Sequence, residues 1–499
     1  MQDHLVRPWR SATPSPREDE LAWKMAAVAA DHTALEPAVI AMIQNRIIDN
    51  AAVAMASATR PTVMTARAQA LAHPRDAGAV LFGLPDTVRV HAEWAAWANG
   101  IAVRELDYHD TFLMAEYAHP GDSIPPILAV AQQCGRSGGD ILRGVAAAYE
   151  IHIALVKSIS LHAHKIDHIA HTGPAMVAGI GAMLGLDAAT IYQAINHALH
   201  VCCTTRQSRK GRISSWKAAA PAHAGKLAIE AVDRAMRGES NPAPIYEGED
   251  GVIAWLLDGP EAEYTVSLPE PGEAKRAILD SYPKAHSAEY QAQSMIDLAF
   301  KMRDRISDSR EIESILIHTS YHTHAVIGSG ANDPEKYDPD ASRETLDHSL
   351  PYIFAVALED GVWSHDRSYS AERAHRPETV ALWGKVKTAY DDEWERRYHS
   401  MDLTEKAFGG RVDITLSDGT VVRDELAMPN AHPLGANPYQ RKDYVHKFQT
   451  LAAPIMSEAA RARFLASVDA MTEQGPSSLN PVVDLTNLSE KTGEAGGIF

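Results

Sequence analysis

Leu106-Asp107-Tyr108-His109-Asp110-Thr111, continuing through Ala118-His119-Pro120-Gly121-Asp122 to Pro125-Pro126, gathers acids, histidines, a hydroxyl and backbone-fixing residues into one short stretch. A helical pattern leads into it from Asp86, an N-cap residue type, with Val90, Trp94, Trp97, Ala98 and Ile101 at spacings near three and four. If that helix continued, Asp107, Asp110 and Thr111 would share one face. Pro120 disfavours the α conformation for His119, so His119 is expected in a turn, with Gly121 permitting a sharp reversal. Asp122 or Ser123 can cap a second helix whose first turn holds Pro125 and Pro126. Its unpaired N–H groups would lie beside His119 and attract an anion. Two caps around a surface turn is the other reading that the local pattern leaves open.

Outward from this stretch, residues 18 to 259 read as one Ala-rich helix after another, broken at Gly, Pro or Asp. Asp140 can cap a helix over 141–159, Pro174 can open one over 175–184, and Asp187 can cap one running toward Cys203. Gly179, Gly181 and Gly185 follow no strand, so small-residue helix packing is expected there rather than a dinucleotide loop. The texture changes after Pro269-Glu270-Pro271-Gly272. Ile312-Glu313-Ser314-Ile315-Leu316-Ile317 is strand-like, and Val412, Ile414 and Leu416 alternate with polar residues before an Asp418-Gly419 turn and Val421-Val422. From Asn437-Pro438 to Met471 the pattern is helical again. The fold class expected is mainly α: an all-helical domain of residues 1–275 and 430–499, interrupted by a smaller α+β domain of residues 276–429. The last 25 or so residues look like a tail.

The chain of 499 residues, 45% hydrophobic, can bury a full-sized core. Its formal charge of −18 argues against nucleic acid or an anionic membrane as partner. Cys134, Cys202 and Cys203 are too few for a disulfide framework and lack zinc or iron–sulfur spacing, which fits a reducing cytoplasm. No leader is evident, and the longest apolar run, 175–186, is too short to cross a membrane.

Three further clusters could carry chemistry. Arg206, Arg209, Lys210, Arg212 and Lys217 place five cations in twelve positions of an acidic chain, suited to a di- or tricarboxylate or else a solvated basic loop. His162, His164, His168 and His171, with Asp167, suggest a metal, but no familiar ligand spacing is present and none is assigned. Lys284 and His286 lie in Tyr282-Pro283-Lys284-Ala285-His286, and Tyr321, His322 and His324 follow the strand-like run, where they could reach a cleft or form an ordinary loop.

Trp97-Ala98-Asn99-Gly100-Ile101, Leu106 to Thr111, His119-Pro120-Gly121, Ile124-Pro125-Pro126, Ala170-His171-Thr172-Gly173-Pro174, Trp216-Lys217, Ser349-Leu350-Pro351-Tyr352 and Lys447-Phe448 together resemble the MmgE/PrpD family over nearly the whole chain. The resemblance implies a helical domain, a smaller α+β lid, a cleft between them and a homodimer. It also implies a cofactor-free, metal-free hydro-lyase that dehydrates 2-methylcitrate to 2-methyl-cis-aconitate in propionate catabolism, with possible use of citrate or cis-aconitate. Decarboxylation of cis-aconitate and epimerisation of iminodisuccinate are alternatives on the same scaffold, and a non-enzymatic helical scaffold is a third.

Dehydration needs a base for a weakly acidic C–H, a proton for the departing hydroxyl and fixed positive charge for the carboxylates. His119 is assigned to the carbon proton, His171 to the hydroxyl and Lys217 to a carboxylate, with Asp107 and Thr111 orienting; the two histidines could be interchanged. Arg206, Arg212, Lys284, His286 and Tyr321 complete the candidate substrate contacts. At the lid motif the chain departs from its relatives, with Gln291 and Gln293 where many carry a histidine, so the role of His286 is open.

Overall fold

Two separate hydrophobic cores organise the chain in its computed structural model, which describes residues 1–400, 402–485 and 497–498. The larger core is built by the helices Pro37–Ser57, Ala92–Arg104, Ile124–Gln133, Gly138–Ser158, Ile169–Leu184, Ala188–Cys202 and Trp216–Met236. Small residues let these helices approach closely. A Cβ on Gly144 would lie 2.7 Å from the Gly179 carbonyl oxygen, and one on Gly179 would lie 2.8 Å from Ala148 Cβ, so these glycines are helix contacts.

Asp187 caps its helix as expected, accepting from Thr190 N at 2.8 Å. Other boundaries differ. The cap of Gly138–Ser158 is Ser137, with Asp140 completing a capping box at the third position. Pro174 lies inside Ile169–Leu184, because Ala170 N and His171 N already close the first turn on the carbonyls of Asp167 and His168. The helix before the quoted stretch starts at Ala92 behind His91, and Asp86 instead accepts from Asn480 Nδ2. That helix also stops at Arg104. Asp107 adopts φ 48°, a left-handed conformation that cannot continue a helix, so Asp107, Asp110 and Thr111 do not share a helical face.

The smaller core, from Ala288 to Val422, surrounds a four-stranded sheet in the order Val421–Leu426, Gly410–Leu416, Ile312–Thr319, Val386–Tyr390. The first two pairs are antiparallel and the last is parallel. Ile315 faces Ile414 and Ile317 faces Val412, so one apolar side of the sheet meets the helices Gln293–Arg303 and Leu350–Asp360. Gly419, at φ 85°, makes the hairpin turn.

After the sheet the chain returns to the larger core through Arg441–Ala452, which packs on Pro37–Ser57, and Glu458–Asp469. Residues of the expected tail also pack there: Gly83 N donates to Pro481 O and Val483 N to Gly83 O, at 2.9 and 3.1 Å. The remainder of that tail, 486–496 and 499, lies outside the described residues. No helix among the described residues is long and apolar enough to cross a membrane.

Candidate active site

Asp107 is the hub of a buried polar cluster. Its left-handed backbone turns the carboxylate back under the end of the preceding helix, where Arg104 Nη1 donates to Oδ1 at 2.9 Å. Lys284 Nζ donates to the same oxygen at 2.7 Å and to the Asp107 carbonyl at 3.0 Å. Lys217 Nζ, from the first turn of Trp216–Met236, lies 3.2 Å from Oδ2. Burial alone would raise the Asp107 carboxyl, but Lys217, Lys284 and Arg104 more than offset it and hold the group well below the usual carboxylate range.

A second carboxylate closes the cluster from the smaller core. Asp347, just ahead of Leu350–Asp360, receives Lys217 Nζ at 2.7 Å and Arg343 Nη1 at 3.0 Å, and its neighbour His348 donates Nδ1–H to it. Four cations thus face two carboxylates, leaving a positive surplus in a buried site. Asp107, Asp347 and His348 are close enough to chelate an ion, yet all three converge on Lys217 Nζ, so an ammonium already occupies their focus.

His119 borders this cluster. Its Nδ1 donates to the Asp110 carbonyl at 3.1 Å, which fixes the tautomer and leaves the lone pair on Nε2, 3.7 Å from Asp107 Oδ1. Burial, then Arg104 and Lys284, push its pKa well below the usual value, so the imidazole is neutral. The turn that presents it is fixed from behind. Asp110 sits between Arg46 Nε (3.4 Å) and the Tyr149 hydroxyl (2.9 Å), and His109 Nε2 is 2.9 Å from Asp122. Lys447, paired with Asp49 at 2.7 Å, donates to the carbonyls of Tyr108 (2.6 Å) and Lys284 (3.0 Å), holding both segments to the helix Arg441–Ala452.

A cavity of about 1110 Å³ opens between the two cores. Glu116, Tyr117, His162, Arg206 and Lys210 line it from the N-terminal part of the chain, and Tyr321, His322 and Tyr398 from the segment that carries the four-stranded sheet. Arg206 Nε donates to the Tyr117 hydroxyl at 2.7 Å. From Tyr117 a row of rings leads inward: its centroid is 5.5 Å from that of His168, which is 6.1 Å from that of His119. The row of rings thus runs from the cavity wall at Tyr117 to His119, which borders the Asp107 cluster.

Of the residues singled out from sequence, Asp107, His119, Lys217 and Lys284 come together, and Arg206 and Tyr321 line the cavity. Thr111 donates to Ala118 O at 2.8 Å and bridges to Tyr282, a role in the turn itself. His171 donates Nε2–H to Ile159 O at 2.9 Å, while its Nδ1 is buried without a partner. Arg212 is 88% exposed and, among the described residues, pairs with Glu335 at 3.7 Å. His286 contacts Asp297 at 2.9 Å and stands edge-on to Phe300. His162, His164 and His168 each face a separate carboxylate, Glu116, Asp258 and Asp167. Residues that sequence reasoning passed over are Arg104, Arg343, Asp347 and His348. The last two immediately precede Ser349-Leu350-Pro351-Tyr352, a run singled out without its acidic and histidine neighbours.

Two family models match, the MmgE/PrpD N-terminal domain over residues 19–265 and the MmgE/PrpD C-terminal domain over residues 286–473. A mitochondrial 2-methylcitrate dehydratase of Yarrowia lipolytica is 27% identical over 68% of this chain and 65% of its own length, just under two thirds. A 2-methylcitrate dehydratase of Cupriavidus necator is 26% identical over 75% of this chain and 78% of its own. An alkylcitrate dehydratase of a fungal species is 25% identical over 74% and 75%.

Proposed function

Because the chain belongs to the MmgE/PrpD family, we propose that it is a hydro-lyase that dehydrates 2-methylcitrate to 2-methyl-cis-aconitate, the activity named for the relatives above. The observation that carries this reading is the free Nε2 lone pair of His119 beside a buried cluster with surplus positive charge. A tricarboxylate needs both features. The cations hold its carboxylates and stabilise the charge that spreads into one of them as the neighbouring C–H is broken, and a neutral imidazole takes that proton. Lys217 Nζ pairs with Asp347 at 2.7 Å and with Asp107 at 3.2 Å, so a substrate carboxylate would exchange for one of them, most easily for Asp107.

Residues 276–429 serve in this reading as the lid over the cleft, supported by the separate core they contain and by a cavity lined from both this segment and the residues before it. The reading extends to a homodimer and to a cytoplasmic location. Three unpaired cysteines suit a reducing compartment, although the Yarrowia relative is mitochondrial. Longer 2-alkyl citrates are a second reading: the cavity exceeds the needs of a methyl group, and Met114, Ile166, Leu256 and Val326 give it an apolar wall.

The test is turnover of metal-stripped protein on 2-methylcitrate, citrate and a longer 2-alkyl citrate, followed by absorbance of the unsaturated product. Turnover that persists through exhaustive chelation is expected. No turnover of any of the three overturns the reading, and activity that returns only with stoichiometric metal overturns its metal-free chemistry.

A further inference from the structure

The mechanism above leaves the departing hydroxyl without a proton donor, and His171 is poorly placed to supply one. Its only N–H is committed to the Ile159 carbonyl, and its other nitrogen is sealed from solvent. A donor has to lie beside the groups that hold the substrate. His348 does, with Nδ1 3.2 Å from Lys217 Nζ. Its side chain keeps 15% of its surface exposed, against 8% for His119, and Asp347 fixes its ring through Nδ1. The ligand atoms of His348, Asp347 and Asp107 all lie within 4.8 Å of one another, and His119 Nε2 is 3.7 Å from Asp107 on the other side. Two imidazoles therefore flank the same cation cluster, His119 with Nδ1 tied to the Asp110 carbonyl and His348 with Nδ1 held between Asp347 and Lys217.

We propose that His348, oriented by Asp347, is a second catalytic histidine that protonates the leaving hydroxyl while His119 takes the carbon proton. The partners decide the division of labour. Nδ1 of His119 faces a neutral carbonyl, whereas Nδ1 of His348 faces a carboxylate that stabilises an imidazolium. The groups that bear on His348 are Asp347, Lys217 and Asp107, with Lys336 donating to its carbonyl at 2.7 Å. Burial and then Lys217 bring its pKa down to about 4. A bound trianion reverses that balance by screening Lys217 and charging the ring.

The step balances. Nε2 of His119 takes the proton, and the C–H electron pair becomes the π bond of the alkene. The C–O pair leaves with oxygen, and the Nε2 proton of His348 completes a water molecule. Solvent returns the proton from His119 to His348.

The inference rests on the dehydratase reading, and the experiment separates the two. His348→Gln and His348→Asn are compared with wild type and with His171→Asn, measuring both dehydration and exchange of the substrate C–H with deuterated solvent. Both His348 variants should lose on the order of 10² to 10⁴ in dehydration. They should keep C–H exchange, which a merely structural role would not spare, while His171→Asn stays within about fivefold of wild type. Dehydration by either His348 variant within about fivefold, or loss of exchange along with dehydration, overturns the assignment to His348. An inactive wild type overturns the dehydratase reading with it. On the unaltered protein, imidazole nitrogen resonances during titration with propane-1,2,3-tricarboxylate, which has no hydroxyl to lose, should show His348 becoming an imidazolium. A ring that stays neutral at saturation overturns the proposal independently of any variant.

Discussion

His119 owes its chemistry to one hydrogen bond, the donation from Nδ1 to the Asp110 carbonyl that leaves Nε2 free. His119→Gln should preserve the fold and substrate affinity but lower turnover by on the order of 10² to 10⁴ and abolish C–H exchange with solvent. Retained exchange with lost dehydration would instead put His119 at the hydroxyl. Lys217→Ala leaves Asp107 and Asp347 facing each other without the cation between them. It should raise KM or depress turnover by at least about 2 kcal/mol in kcat/KM, and unchanged kinetics would remove Lys217 from the site. What was legible at this scale was which residues to single out: His119 by its place before a proline, and Lys217 by the family resemblance at Trp216-Lys217, both of which lie beside Asp107. The partners were not. Lys284 meets Asp107 from 177 positions away and Asp347 meets Lys217 from 130, so no local pattern could have paired them.

At the scale of elements, the face shared by Asp107, Asp110 and Thr111 was expected only if the preceding helix continued, and the chain instead leaves that helix at Arg104 for a wound turn. Periodicity describes apolar residues, whereas here polar partners set the path: Arg104, Lys284 and Lys217 draw Asp107 inward, and Arg46 and Tyr149 draw Asp110 to the opposite side. Gly121 illustrates the same point. It was expected to allow a reversal, yet its importance is proximity, since a Cβ there would lie 2.2 Å from Asp110 Oδ1 and 3.1 Å from Asn50 Oδ1. Gly121→Ala should therefore cost about 1–3 kcal/mol by overpacking and lower turnover by displacing Asp110, whose carbonyl orients His119. A variant with wild-type melting temperature and kinetics would show that the turn has slack. The helical core and the β-hairpin were easier to read, because Ala-rich periodicity and an Asp-Gly turn act within a few residues.

For the whole molecule, buried titratable groups set the pH at which the fold is firmest. His152, His322 and His432 are each brought down to about 3, chiefly by burial, while in the unfolded chain they protonate near 6.5. The unfolded state then binds more protons as pH falls from 6.5 toward 3, so stability is lost across that window. Glu247 and Glu289, raised to about 7 by burial, act in the opposite sense, since their cost is relieved as pH falls from 7 toward 4.5. Three large histidine shifts outweigh two carboxyl shifts, and the melting temperature should fall on acidification below pH 6.5. A melting temperature that rises between pH 6.5 and 4.5 would mean the carboxyl groups dominate. The anchoring of the catalytic turn by Lys447 and, through Arg46, by Tyr444 has a consequence in time as well as in space. Ribosomes deliver the core helices and the chemically armed residues first and Arg441–Ala452 hundreds of codons later. A nascent chain stalled before that helix carries its histidines and lysines on an untethered turn, so competence arrives only with the closing stretch of translation, and truncated products are chemically silent rather than partly active.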